Sequence, residues 1–143
     1  MNTWEQVQPL HLKVATAILC REPTVAAAYR EYLAAPRQER IDKIKDILAA
    51  GAGTSANGRA WTLLINDFPY WLEASIKHYV FWFVGDYSLQ EALEVLSPSL
   101  GSQEVIIFCN TPNNRTIPDI NHYHVLVRGN GAGSLTSAPY RIS

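Results

Sequence analysis

His122 and His124 stand one residue apart in the run His122-Tyr123-His124-Val125-Leu126-Val127, whose aromatic and β-branched content predicts a strand. Successive strand side chains point to opposite faces, so the two imidazoles share a face while Tyr123 and Val125 take the other. Imidazole exchanges its proton near neutral pH and can attack an electrophile, which makes this pair the candidate catalytic group. The stretch from Asn110 to Pro118, just before it, is dense in hydrogen-bond donors, including Asn110, Asn114 and Arg115, and Arg128 closes the strand. Amides and a guanidinium fork beside histidines suit an anionic substrate, so these four residues are the expected substrate-binding set. Two more join it. His78 lies in an earlier strand-like run, and Asp67 sits at a strand end, where a carboxylate can orient a histidine or cap its own turn.

A third imidazole opens a second chemistry. His122, His124 and His78, with a carboxylate such as Asp67 or Asp119, would make a divalent-metal site, although no carboxylate stands at a fixed short spacing from the pair. The leading reading needs no cofactor. A third reading is a non-catalytic binding protein whose aromatic run, Tyr79, Phe81, Trp82 and Phe83, forms an interaction surface, but strand residues of this kind more often form core.

These residues need elements to hold them. Apolar positions recurring at three and four predict helices through the first fifty residues. One stripe is Leu10, Val14, Ala17 and Ile18, with His11 on that helix's surface. A second helix opens at Pro23 and carries Val25, Ala28, Tyr29, Tyr32 and Leu33, and a third follows Pro36 with Ile41, Ile44, Ile47 and Leu48. The other face of the third helix mixes charges of both signs and reads as solvated. Residues 51–58, Gly-Ala-Gly-Thr-Ser-Ala-Asn-Gly, form a loop that lacks the Gly-Lys-Ser/Thr ending of a phosphate-cradling loop.

The period then changes. Trp61 to Ile65, Ile76 to Val84, Glu104 to Cys109 and His122 to Val127 predict four strands, with a short helix from Ser88 to Leu96 between the second and third. Ser88 and Glu91 stand at capping-box spacing, and Leu89, Ala92, Leu93 and Leu96 face inward. The fold class is α+β: N-terminal helices packed on a mainly antiparallel four-stranded sheet. The expected organisation is one domain over residues 1–143, with a helical part (1–50), a sheet with one short helix (60–128) and an irregular tail (129–143).

Composition limits the partners. With 143 residues, 48% of them hydrophobic, the chain can bury one real core. A net charge of -1 and a pI near 6.4 argue against a nucleic-acid partner held through phosphates. The apolar run Tyr79 to Val84 is too short to span a bilayer, and residues 1–8 do not read as a signal peptide. Cys20 and Cys109 follow no disulfide or zinc spacing. A cytoplasmic protein that takes a small, anionic ligand, with no nucleic-acid or membrane partner, is expected.

Three stretches resemble the fungal N-acetylglucosamine-induced proteins: Leu19-Cys20-Arg21-Glu22-Pro23 with Tyr29; Ile65 to Tyr70 running into Ile76 to Trp82; and Ile117-Pro118 with His122 to Arg128. The order and spacing match over most of the chain, which is shorter than the family between Val84 and Glu104. That resemblance supports the sites and the fold more than any one reaction. Asn110, the loop to Pro118 and His122-Tyr123-His124-Val125-Leu126 are also similar to the histidine-triad (HIT) nucleotide hydrolases and transferases. In those proteins the middle histidine attacks the α-phosphate and carries the nucleotidyl group. The resemblance implies a HIT-like fold and a hydrolase or transferase acting on a phosphorylated or nucleotide-like substrate. Aligned on the trailing Val-Leu, His122 is the nucleophile and Ile120 holds the triad's first position; in the other register His124 attacks and Leu126 holds the third. One histidine of three is absent either way.

Overall fold

The computed structural model describes residues 1–15, 19–34, 36, 38–39, 42–43, 45–46, 61–85, 87–100, 103–109 and 120–129. The glycine-rich stretch 51–58, the donor-rich stretch 110–118 with Asn110, Asn114 and Arg115, Asp119, and the tail after Gly129 lie outside the described residues. So do Ala17, Ile18 and the stripe Ile41, Ile44, Ile47 and Leu48.

The elements in chain order are a one-turn helix α1 (Trp4–Val7), a 3-10 turn (Gln8–Leu10), α2 (Pro23–Leu33), β1 (Trp61–Ile65), β2 (Ile76–Val84), α3 (Leu89–Leu100), β3 (Glu104–Phe108) and β4 (Ile120–Arg128). All four strands form one antiparallel sheet in the order β1-β2-β4-β3, so the α+β architecture stands. The two longest strands, β2 and β4, are its centre, and their register sets Val80 opposite His124 and Trp82 opposite His122. Alternation then sorts the side chains. Tyr79, Phe81 and Phe83 of β2 lie on one face with Tyr123, Val125 and Val127 of β4, and His78, Val80 and Trp82 lie on the other with His122, His124 and Leu126.

The first face packs on α3. Leu63, Tyr79, Phe81, Phe83, Ile107, Val125 and Val127 form one core with Tyr87, Ala92, Leu96 and Leu100, and Leu89 and Leu93 lie partly buried against it. Tyr79, Phe81 and Phe83 of the aromatic run are thus interior, and Trp82 is half-buried on the other face. The start of α3 is fixed by the expected reciprocal cap: the Glu91 backbone N–H donates to Ser88 Oγ and the Ser88 N–H to a Glu91 carboxylate oxygen, each at 3.0 Å.

The second face is covered in part by Trp4, Val7 and Ala15 of the N-terminal segment and by Tyr70 of the loop between β1 and β2, which pack on Ile76, Ile106, Phe108 and Leu126. The sequence pattern predicts a helix through Leu10 and Val14, and the structure differs. After the 3-10 turn, Leu12 takes a left-handed conformation at φ 60° and the chain runs extended along the free edge of β3. The Leu12 N–H donates to the Ile107 carbonyl and the Ala15 N–H to that of Cys109, both at 2.7 Å. Sheet-edge donors and acceptors need partners, and this pairing satisfies them where a helix would not. His11 is accordingly no surface helix residue: it is half-buried, and its Nδ1 accepts the Ile107 N–H at 3.1 Å. The α2 helix begins at Pro23 as predicted, yet none of its residues is fully buried, and Tyr32 and Leu33 remain exposed. In the third predicted helix, Gln38, Glu39, Asp42, Lys43, Lys45 and Asp46 are helical and exposed, as a solvated face requires. Among the described residues no helix is long and apolar enough to cross a membrane.

Candidate functional site

The loop joining β1 to β2 delivers the site's buried support. Its conformation is pinned from outside. The Asn2 N–H donates to the Trp71 carbonyl at 2.8 Å, the Trp71 N–H donates to that of Cys20 at 2.9 Å, and Arg21 Nε donates to that of Phe68 at 2.8 Å. Within the loop, Asn66 Oδ1 accepts the Phe68 N–H at 2.8 Å, closing an Asx turn that also fixes which way the amide faces. Tyr70 is thereby placed under the histidine face, with its ring 4.6 Å from that of His78 and 5.3 Å from that of His124.

His78 and His124 are both almost fully buried, and their rings touch through His78 Nε2 and His124 Nδ1 at 2.9 Å. Neighbouring groups decide which nitrogen carries the proton. The Tyr70 backbone N–H lies 3.2 Å from His78 Nδ1 and can only donate, so Nδ1 is an acceptor and the His78 proton sits on Nε2. His78 Nε2 then donates to His124 Nδ1, and the His124 proton is on Nε2, the ring nitrogen away from His78. The Asn66 amide nitrogen stands 3.4 Å from His78 Nε2. It would favour the opposite tautomer, but at 3.4 Å it is the weaker contact, and the Asx turn prevents the amide from flipping.

Both imidazoles are held neutral. Burial pushes His78 down to about 3, helped by the Arg21 and His122 charges. Burial likewise holds His124 well below its usual range, with contributions from His78, His122 and Arg21. His122 is the more open member. It is half-buried, its ring meets that of His124 edge-on at 5.4 Å, and it leans on the half-buried Trp82 ring at 4.8 Å. The three imidazoles therefore run from the floor at His78 through His124 to the more accessible His122.

Among the described residues, Arg21 is the cation of this site. Its guanidinium lies over the Tyr29 ring at 4.2 Å and the Tyr70 ring at 4.9 Å, and its charge reaches both buried histidines. Among the described residues Nε is the only part of the guanidinium in a hydrogen bond, and no carboxylate pairs with it.

The structure brings together His78, His122 and His124 as the sequence proposes; Asn110, Asn114 and Arg115 lie outside the described residues. Arg128 shares their face six residues beyond His122, about 20 Å along the strand. There it pairs with Glu104 at 2.7 Å and lies over the Trp4 ring at 4.8 Å. Asp67 is exposed in its turn, and the residue that meets His78 is its neighbour Asn66. Sequence reasoning passed over Arg21, Asn66 and Tyr70 as site residues. The local signals were an arginine just ahead of a proline-opened helix and an Asn-Asp turn after a strand. Among the described residues no group of three or more His, Cys, Asp or Glu side chains is disposed to hold a metal ion. His78 and His124 direct their facing nitrogens at each other.

The fold is similar to that in a crystal structure of a protein named HTC1, with a TM-score of 0.58 and 20% identity over 89% of this chain and 85% of that one. Comparison with curated proteins gives no match. A family model matches residues 3–99, a span that holds Arg21, Asn66, Tyr70 and His78 and stops short of β4. With more than half its length matched, the chain belongs to the family described as Protein of unknown function (DUF3605).

Proposed function

We propose that the protein is a cytoplasmic small-molecule enzyme, a hydrolase or transferase acting on a phosphorylated or nucleotide-like substrate at the histidine face. The observation that carries this reading is the graded row of imidazoles: two buried and neutral, one half-buried at the open end. A neutral imidazole is the form that attacks or accepts a proton. His122 is the catalytic residue, acting at phosphorus as nucleophile or as the base that takes a proton from the attacking water. His124 and His78 position it, and Trp82 bounds it on the strand side. As nucleophile, His122 forms a bond to phosphorus as the bond to the leaving oxygen breaks, and water then cleaves the phosphorus–nitrogen bond. This is the chemistry that the similarity to the HIT proteins implies. The resemblance to the N-acetylglucosamine-induced proteins draws on the same β2 and β4 residues. The free thiols of Cys20 and Cys109 agree with a reducing compartment.

The test is a screen of nucleotides and sugar phosphates for phosphate or nucleotide release, repeated with His122→Ala. Turnover lost in a variant whose thermal unfolding is unchanged supports the assignment. Full turnover in that variant overturns it.

A further inference from the structure

We propose that Arg21, whose guanidinium lies over the Tyr29 and Tyr70 rings, is the anchor of an oxyanion subsite that takes the phosphate group of a small molecule. This deepens the reading of the histidine face as a small-molecule site and rests on it. Of the anion-binding residues that the sequence proposes, Arg128 is the described arginine, and its guanidinium is committed to Glu104 and Trp4. The charge of Arg21 reaches both buried histidines.

Three observations define what it can hold. First, two aromatic rings lie against the guanidinium, at 4.2 Å and 4.9 Å, and the Nε bond to the Phe68 carbonyl fixes its remaining freedom. A guanidinium held in this way keeps its edge, the part that carries the paired N–H donors, for an oxyanion. Second, the two Nη groups donate to no described residue and no described carboxylate neutralises the charge. Third, His78 and His124, the two buried histidines that the Arg21 charge reaches, are kept uncharged and supply no counter-charge. A half-buried cation beside two neutral rings leaves a local positive field, in a chain whose net charge is -1, and a phosphate group complements it.

The experiment is a titration of the full-length protein with inorganic phosphate at constant ionic strength, with sodium acetate as the parallel arm. Binding is read from the imidazole resonances of His78 and His124. Wild-type protein is expected to show saturable phosphate-dependent shifts at both rings. Arg21→Met should weaken binding by at least about tenfold, and Arg21→Lys, which keeps the charge but loses the fork, by an intermediate factor. Unchanged resonances of Tyr123 and Val125, in the opposite core, report that each variant is folded. Silent imidazole resonances in the wild type, wild-type affinity in Arg21→Met, or acetate binding at least as tightly as phosphate overturns the proposal.

The two readings fail separately. If His122→Ala abolishes turnover while the phosphate titration is silent, the subsite falls and the catalytic assignment stands. Arg21-dependent phosphate binding in a protein whose His122→Ala variant keeps full turnover leaves the subsite standing without that assignment.

Discussion

Lowering the pH from 7.5 to 5 should destabilise this protein by about 2 kcal/mol through His78 alone. Burial takes the His78 pKa from 6.5 down to about 3. Between those values the unfolded chain holds a proton that the folded chain lacks, so stability falls as the pH falls. The contribution is complete above pH 6.5 and is lost progressively as the pH drops toward 3. By pH 5 the unfolded histidine is 1.5 units below its pKa, which at about 1.4 kcal/mol per unit gives about 2 kcal/mol. His124, also depressed by burial, acts with the same sign. Against a total of about 5–15 kcal/mol the loss is large, and it corresponds to a fall on the order of 6 °C in Tm. Urea unfolding followed by tryptophan fluorescence at several pH values and fixed ionic strength measures it. His78→Phe, which cannot titrate, should flatten the slope whatever it does to stability at pH 7.5. Wild-type stability that holds or rises from pH 7.5 to 5 would refute the reasoning, and an unaltered slope in His78→Phe would place its source elsewhere.

The tautomer assignment predicts that long-range ¹⁵N–¹H spectra at pH 7 show His78 and His124 both neutral and protonated at Nε2; a proton on His78 Nδ1 would contradict the Tyr70 contact. Phe81, fully buried in the sheet–helix core, should cost about 3–5 kcal/mol on substitution by Ala, read as a shift in the urea midpoint. Ser88→Ala removes the α3 cap and should cost about 1 kcal/mol, while Glu91→Gln, which retains an acceptor oxygen, should cost less.

The sheet was legible because β1 and β2 carry dense aromatic and β-branched runs whose ends coincide with turn residues. The α3 cap was legible because Ser88 and Glu91 interact across three residues. What failed depended on distant partners. Leu10 and Val14 have helical spacing, but their stretch is drawn straight by the free edge of β3, nearly a hundred residues later. Nor could alternation along β2 say which face was open. Both faces of the sheet carry apolar cores, so His78 and Phe81 read alike.

The same limit governed the site. Strand alternation puts Arg128 on the face of His122, but six residues of strand rise set the two about 20 Å apart, a spacing the sequence already carried. Among the described residues, the cation whose charge reaches the buried histidines comes from position 21. It is held there by a chain of bonds in which the Asn2 backbone meets that of Trp71, the Trp71 backbone meets that of Cys20, and the Arg21 side chain meets the Phe68 carbonyl. Each link joins the N-terminal segment to the loop before β2, and no link involves residues near one another in sequence. That loop also carries Tyr70, whose backbone N–H fixes the His78 proton. The cation and the tautomer of the buried pair thus depend on one docking event, the seating of the N-terminal segment against the β1–β2 loop. Both therefore appear only when the tertiary fold is complete.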